Sequence, residues 1–253
     1  MTGAIVFDLD GTLVDSAPDI AAAANRMLAG VGHAPLSLAQ MTSFIGHGIP
    51  NLVRRVIEAC GLDPADHSAL NAQLLADYGA QPATLTRPYP GVVAALEALR
   101  AAGHPLGVCT NKDLGLTRQI LDALDLARFF DVVIGGDTLA VKKPDPAPLH
   151  AAFAALPAAP LVYVGDSEVD AQTAARAEVS FALFTLGYRQ TPVADLPHAF
   201  AFDDFARLAP FVAGLVPPTK GQSPPARGPP QDRAFGASEL RGAVAAHPDQ
   251  PSG

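Results

Sequence analysis

The chain has 253 residues and a mass of 26.0 kDa, with 17 Lys+Arg against 25 Asp+Glu for a formal net charge of −8. That length suits one domain, or one with a sizeable insertion, and 49% hydrophobic residues suffice for a core, much of it alanine, with only 6% aromatic residues. The acidic balance argues against a nucleic-acid surface, which needs clustered positive charge, and the composition excludes collagen, coiled coil and disulfide scaffold.

Taken in chain order, the N-terminal MTGAIVFDLD has no basic lead and is interrupted by Asp8 and Asp10, so no signal peptide is expected. No apolar run reaches the roughly 18 residues that a membrane span requires, and the cytoplasm is the expected compartment. Residues 4–7 read as a strand ending in a carboxylate. The next strand-like run is 106–109, and the interval between them is mostly helical in pattern, with amphipathic stretches at 19–28, 51–59 and 68–78. This predicts an all-helical insertion over 16–86, with hinges near 14–16 and 86–90. Further apolar runs at 132–134, 161–164 and 181–184 alternate with helical stretches at 91–102, 114–124, 147–156 and 168–177. Short continuous apolar strands separated by helices predict a doubly wound parallel α/β sheet with helices on both faces, formed by 1–15 and 87–216. Residues 217–253 hold eight of the 24 prolines and five of the 22 glycines and have little to bury, so a disordered tail is expected. Cys60 and Cys109 make no disulfide framework; Cys109, in the 106–110 run, reads as a buried strand residue rather than a reactive thiol.

In open α/β sheets, functional groups collect at the C-terminal ends of strands. Here those ends are Asp8-Leu9-Asp10-Gly11-Thr12, Thr110-Asn111-Lys112, Lys142-Lys143-Pro144 and Gly165-Asp166-Ser167-Glu168-Val169-Asp170. The expected convergence is of Asp8, Asp10 and Asp166. Three carboxylates at one point need a cation, and oxygen-only ligation favours Mg²⁺ over zinc. Such a site accepts a phosphate oxygen. Lys143, Thr110 and Asn111 are candidate phosphate donors, and Gly11 lets backbone N–H groups approach the same anion. A strand-end carboxylate facing a phosphate can be a nucleophile, with Asp10 in the following turn acting on the leaving oxygen as acid and then on water as base. Asp170, four residues after Asp166 on an opening helix, fits a role in orienting Lys143 or metal waters.

Read together, these four elements resemble the haloacid dehalogenase superfamily of phosphohydrolases, whose pattern is DxDGT(L/V), a strand-terminal Thr or Ser, a Lys-Pro and GDxxxD. The resemblance covers about 1–215. It implies a Rossmann-like core with a helical cap, Asp8 as nucleophile through an aspartyl-phosphate, Asp10 as general acid/base, Thr110 and Lys143 as phosphate binders, and Asp8, Asp166 and the Asp10 carbonyl as Mg²⁺ ligands. Dehalogenating members lack the Asp10 carboxylate, so its presence implies phosphate chemistry. The stretches FDLDGTLVDSAPDI, FIGHGIPNLVRR, PYPGV, TNK, KKPDPAPL and VGDSEVDAQTA are similar to phosphoglycolate phosphatases within that superfamily.

The resemblance implies a small-molecule phosphate ester as the partner, 2-phosphoglycolate first. Gly46 and His47 would belong to a cap loop that reads the leaving group, and Arg54 or Arg55 would face a substrate carboxylate, unless both decorate a helix surface. Another small ester, such as a sugar phosphate, or pyrophosphate stays open, as does sugar phosphate mutase activity. A phosphonate hydrolase needs a cap lysine, and no lysine precedes Lys112. The oligomeric state, monomer or homodimer, is also open.

Overall fold

The structure, a computed structural model, describes residues 2–215; the tail expected over 217–253 lies outside the described residues. In chain order the elements are β1 (Ala4–Phe7), β2 (Val14–Asp15), α1 (Ala17–Gly30), α2 (Leu38–Thr42), α3 (Ile49–Cys60), α4 (His67–Ala80), β3 (Arg87–Pro88), α5 (Val92–Ala101) and β4 (Leu106–Cys109). There follow α6 (Leu114–Ala123), β5 (Val132–Ile134), α7 (Ala147–Ala155), β6 (Pro160–Gly165), α8 (Glu168–Ala177), β7 (Phe181–Phe184), β8 (Phe200–Phe202) and α9 (Leu208–Ala213).

Six strands form one sheet in the order β5-β4-β1-β6-β7-β8, and every neighbouring pair is parallel. β1, β4 and β7 are buried along their whole length, as strands covered on both faces must be. The period-2 alternation of β1 divides it between two cores: Ile5 and Phe7 join one, Ala4 and Val6 the other. The second core is closed by Leu149, Ala152 and Phe153 of α7 and by Ala171 and Ala174 of α8. The first runs continuously from the sheet into the helical insertion, through Met27 and Leu28 of α1, Val53 and Val56 of α3 and Leu74 and Tyr78 of α4. Cys109 is wholly buried at the end of β4, and burial pushes its thiol up to about 12. Among the described residues no helix is long and apolar enough to cross a membrane.

The insertion α1–α4 follows β1 and the short β2. Its entry and exit run side by side, because β2 and β3 pair antiparallel with Val14 opposite Pro88 and Asp15 opposite Arg87. Asp19, in the first turn of α1, is buried and accepts hydrogen bonds from the Leu85 and Thr86 N–H groups and the Thr86 hydroxyl. The start of α1 has no side-chain cap of its own from Ser16. Instead the Tyr188 hydroxyl accepts from the Ser16 and Ala17 N–H groups and donates to Asp15 Oδ1. An order of β4-β1-β6 puts a topological switch at β1, because the chain builds outward through β4 to β5 before crossing to β6. A ligand crevice opens beyond the carboxyl ends at such a point.

Candidate active site

The turn after β1 is closed by Leu13 N–H donating to the Leu9 carbonyl and Gly11 N–H to the Val14 carbonyl. Gly11 has φ +80°, a conformation that side-chain-bearing residues rarely take. The Asp10 carboxylate accepts from the Ser16 hydroxyl at 2.5 Å and pairs with Lys112 Nζ at 3.0 Å. Asp8, Asp10 and Asp166 line one cavity, but the Asp10 carboxylate is not part of the tightest cluster of acids. Asp8, Asp166 and Asp170 are the carboxylates that place one oxygen each within 4.8 Å of one another.

The three differ in how their oxygens are occupied. Asp170 accepts five hydrogen bonds: from Lys143 Nζ and the Tyr163 hydroxyl on one oxygen, and from the Asp166 and Ser167 N–H groups and the Ser167 hydroxyl on the other. Asp170 and Ser167 also form the capping box that opens α8. Asp170 thus orients Lys143 and the helix and has few lone pairs left to give. Asp166 accepts from the Thr12 hydroxyl at 2.8 Å and from the Tyr188 N–H at 2.6 Å, one on each oxygen. Asp8 Oδ1 is buried with no hydrogen bond, although Lys143 Nζ lies 3.0 Å away.

The electrostatics follow from this geometry. Burial raises Asp8 to about 7, Lys143 opposing it and Asp170 and Asp10 adding to it. Burial likewise lifts Asp166 well above the usual carboxylate range, with Asp170 and Asp8 contributing. Asp170 is lowered: burial works against its charge, but Lys143 and its hydrogen bonds prevail. For Lys143 burial disfavours the ammonium, and Asp170 and Asp8 outweigh it, so its pKa rises. A buried Asp8 oxygen that pairs with Lys143 but accepts no hydrogen bond, beside Asp166 in an all-oxygen donor set, fits a hard divalent cation. Such a cation would replace the protons that burial otherwise forces onto these two acids.

Over this floor lies a cavity that also takes in Asp10, Thr110, Asn111 and Lys112, roofed by Ile20, Ile45, Ile49 and Leu52 of the insertion. Thr110 follows β4 and is buried. Asn111 is not a free donor to a ligand: its amide nitrogen donates to the Gly46 and Lys143 carbonyls and its oxygen accepts from the Lys143 N–H. It instead ties the loop at Gly46 to the core. Gly46 lines the cavity, but His47 is exposed and stands outside it. Arg54 does not face the site. It pairs with Glu58 at 2.5 Å and donates to Asn51 on the outer face of α3. Arg55 donates to the Ser43 carbonyl and lies over the Phe44 ring. The helix-surface alternative is the one that holds for both arginines, because α3 turns its apolar side, Leu52, Val53 and Val56, inward.

Six residues that touch the carboxylates were given no role from sequence: Thr12, Ser16, Lys112, Tyr163, Ser167 and Tyr188. Thr12 and Lys112 sit inside stretches that carry the resemblance, DLDGT and TNK, so a signal existed. Ser16 lies in the same way within LVDS. Tyr188 follows β7 in a loop with no local pattern, and only the fold brings it to Asp166 and Asp15.

A parallel sheet with a helical insertion after its first strand, and buried acids at the ends of β1 and β6, define a class of hydrolases in which the core supplies the chemistry and the insertion covers it. The chain belongs to the haloacid dehalogenase-like hydrolases, whose family model matches residues 5–184. Over 214 residues it is 52% identical to a phosphoglycolate phosphatase of Cereibacter sphaeroides strain ATCC 17029, an alignment covering 84% of this chain and 98% of that protein. A phosphoglycolate phosphatase of Rhodobacter capsulatus is 43% identical over 216 residues, covering 85% and 98%. Among solved structures, one described as a predicted phosphoglycolate phosphatase from Haemophilus somnus superposes with a TM-score of 0.76 at 31% identity, over 83% of this chain and 97% of that one.

Proposed function

We propose that this enzyme hydrolyses 2-phosphoglycolate to glycolate and inorganic phosphate. The observation that carries the reading is the 52% identity that spans 98% of a phosphoglycolate phosphatase; the cavity of acids and lysine under an apolar roof is consistent with it. Asp8 is the nucleophile: its carboxylate attacks phosphorus, the bond from phosphorus to the glycolate oxygen breaks, and Asp10 gives that oxygen a proton. Asp10 then takes a proton from a water whose oxygen attacks the phosphorus of the aspartyl-phosphate, releasing phosphate and restoring Asp8. Lys143, locked by Asp170 and Tyr163, holds positive charge beside Asp8 as the phosphate approaches. Thr110 and the backbone around Leu9–Gly11 contribute phosphate donors. Asp8, Asp166 and the Asp10 carbonyl would hold Mg²⁺, which when bound supplies charge neutralisation between the Asp8 carboxylate and the phosphate oxygens. Residues 16–86 act as a cap whose apolar roof excludes water, which strengthens every charge interaction beneath it. Two free thiols, Cys60 and Cys109, fit the reducing cytoplasm.

A panel of phosphorylated metabolites compared by kcat/KM tests the substrate. 2-Phosphoglycolate should rank first, and a sugar phosphate or pyrophosphate ranking well above it would overturn the assignment. Asp8→Asn tests the mechanism: it should cut turnover by about 10⁴-fold or more with the fold retained, and ordinary turnover in that variant rules Asp8 out as nucleophile.

A further inference from the structure

We propose that Lys112 reads the carboxylate of the substrate and so sets the preference for an acidic leaving group. The inference rests on the phosphoglycolate reading. In 2-phosphoglycolate a single methylene separates the bridging oxygen from the carboxylate. Whatever binds the carboxylate must therefore stand beside the group that protonates the bridging oxygen. That group is Asp10, and Lys112 Nζ lies 3.0 Å from its Oδ1.

Lys112 is buried at the end of β4 and lines the cavity. An ammonium carries three N–H donors. Asp10 and the Tyr78 hydroxyl, 2.8 Å away, account for two, which leaves one for a ligand. Tyr78 belongs to α4, and Lys112 also sits 4.6 Å from the centre of its ring, so the insertion and the core hold this cation jointly.

Among the described residues, Lys112 is the lysine or arginine that lines the cavity. Lys143 stands at the phosphate end, engaged with Asp170, Tyr163 and Asp8. Lys142 lies outside the cavity, 4.0 Å from Asp113. Arg54 and Arg55 face away, as described. The apolar side chains of the roof, Ile20, Ile45, Ile49 and Leu52, offer a carboxylate no partner, and burying one against them alone is strongly unfavourable.

The test compares kcat/KM for 2-phosphoglycolate and for ethyl phosphate, which keeps the ester and lacks the carboxylate, in the wild type, Lys112→Met and Lys112→Gln. The wild type should favour 2-phosphoglycolate. In both variants that ratio should fall by about 10- to 150-fold, the worth of a hydrogen bond to a charged group, chiefly through KM. Tyr78→Phe keeps the ring and removes only the hydroxyl bond to Lys112, so it should lower the same ratio by a smaller factor. A ratio unchanged in these variants, or equal losses on both esters, overturns the role of Lys112 and leaves the substrate assignment standing. A wild-type ratio near one overturns the substrate assignment and the role of Lys112 with it.

Discussion

Asp166 owes its position to two residues without side chains. A Cβ at Gly187 would overlap the Asp166 side chain and the Gly11 carbonyl, and one at Gly11 would overlap the Asp166 carboxylate. The Gly187 backbone thus lies flat against the acid, and the next N–H, that of Tyr188, reaches its oxygen. Gly187→Ala should displace Asp166 and lower divalent-cation affinity by about 10- to 100-fold, the usual effect of disturbing what orients a ligand. A Mg²⁺ titration of activity checks this, and an unchanged midpoint would show that Asp166 does not depend on that approach. At this scale the sequence was legible where function sits at strand ends. Asp8, Thr110 and Asp166 all line the cavity. It misled where a side chain's direction depends on which face of a helix is apolar, as at Arg54. Gly187 and Tyr188 carried no local signal, since their partners lie more than twenty residues away or further.

Elements buried on both faces were the readable ones. β1, β4, β5 and β7 are short unbroken apolar runs, and their observed limits coincide with those expected from sequence. β8 was missed because two of its three residues are half-exposed, whereas β5, the other edge strand, keeps two of three buried. α2 was missed because five residues are too few to show a period; its identity lies in the Ser37–Gln40 capping box. β2 and β3, two residues each, exist only through their pairing. The joint between insertion and core depends on Asp19, whose carboxylate holds three donors of Leu85 and Thr86 across the chain's return. Asp19→Ala takes a charged acceptor away from Leu85 and from the buried Thr86. It should cost about 1.5–3 kcal/mol, seen as a melting temperature lower by about 3–12 °C for a chain of this size. A thermal melt within a degree of wild type would show that the joint is held by packing alone.

For the whole molecule, the clustered acids set how stability responds to pH. In the metal-free protein Asp8 is raised to about 7 and Asp166 is raised as well, both by burial. The folded chain therefore retains protons that the unfolded chain sheds near the ordinary carboxylate pKa of about 4. By linkage this contribution is fully present below about pH 4 and is lost as pH rises through about 7. With a chelator present, the melting temperature should fall between about pH 5 and pH 8. The increase on adding Mg²⁺ should grow over the same interval, because the cation competes with those protons. Calorimetric melts across that range, with and without Mg²⁺, check both trends, and an Mg²⁺ effect independent of pH would place the cation elsewhere. The β2–β3 ribbon has a different kind of consequence. Val14 and Pro88 face each other as a strand pair, and such partners lie only about 5 Å apart. A two-residue turn could therefore bridge them. The helical segment is topologically a detachable module, one that can be lengthened, shortened or exchanged for another without rethreading a single strand of the sheet.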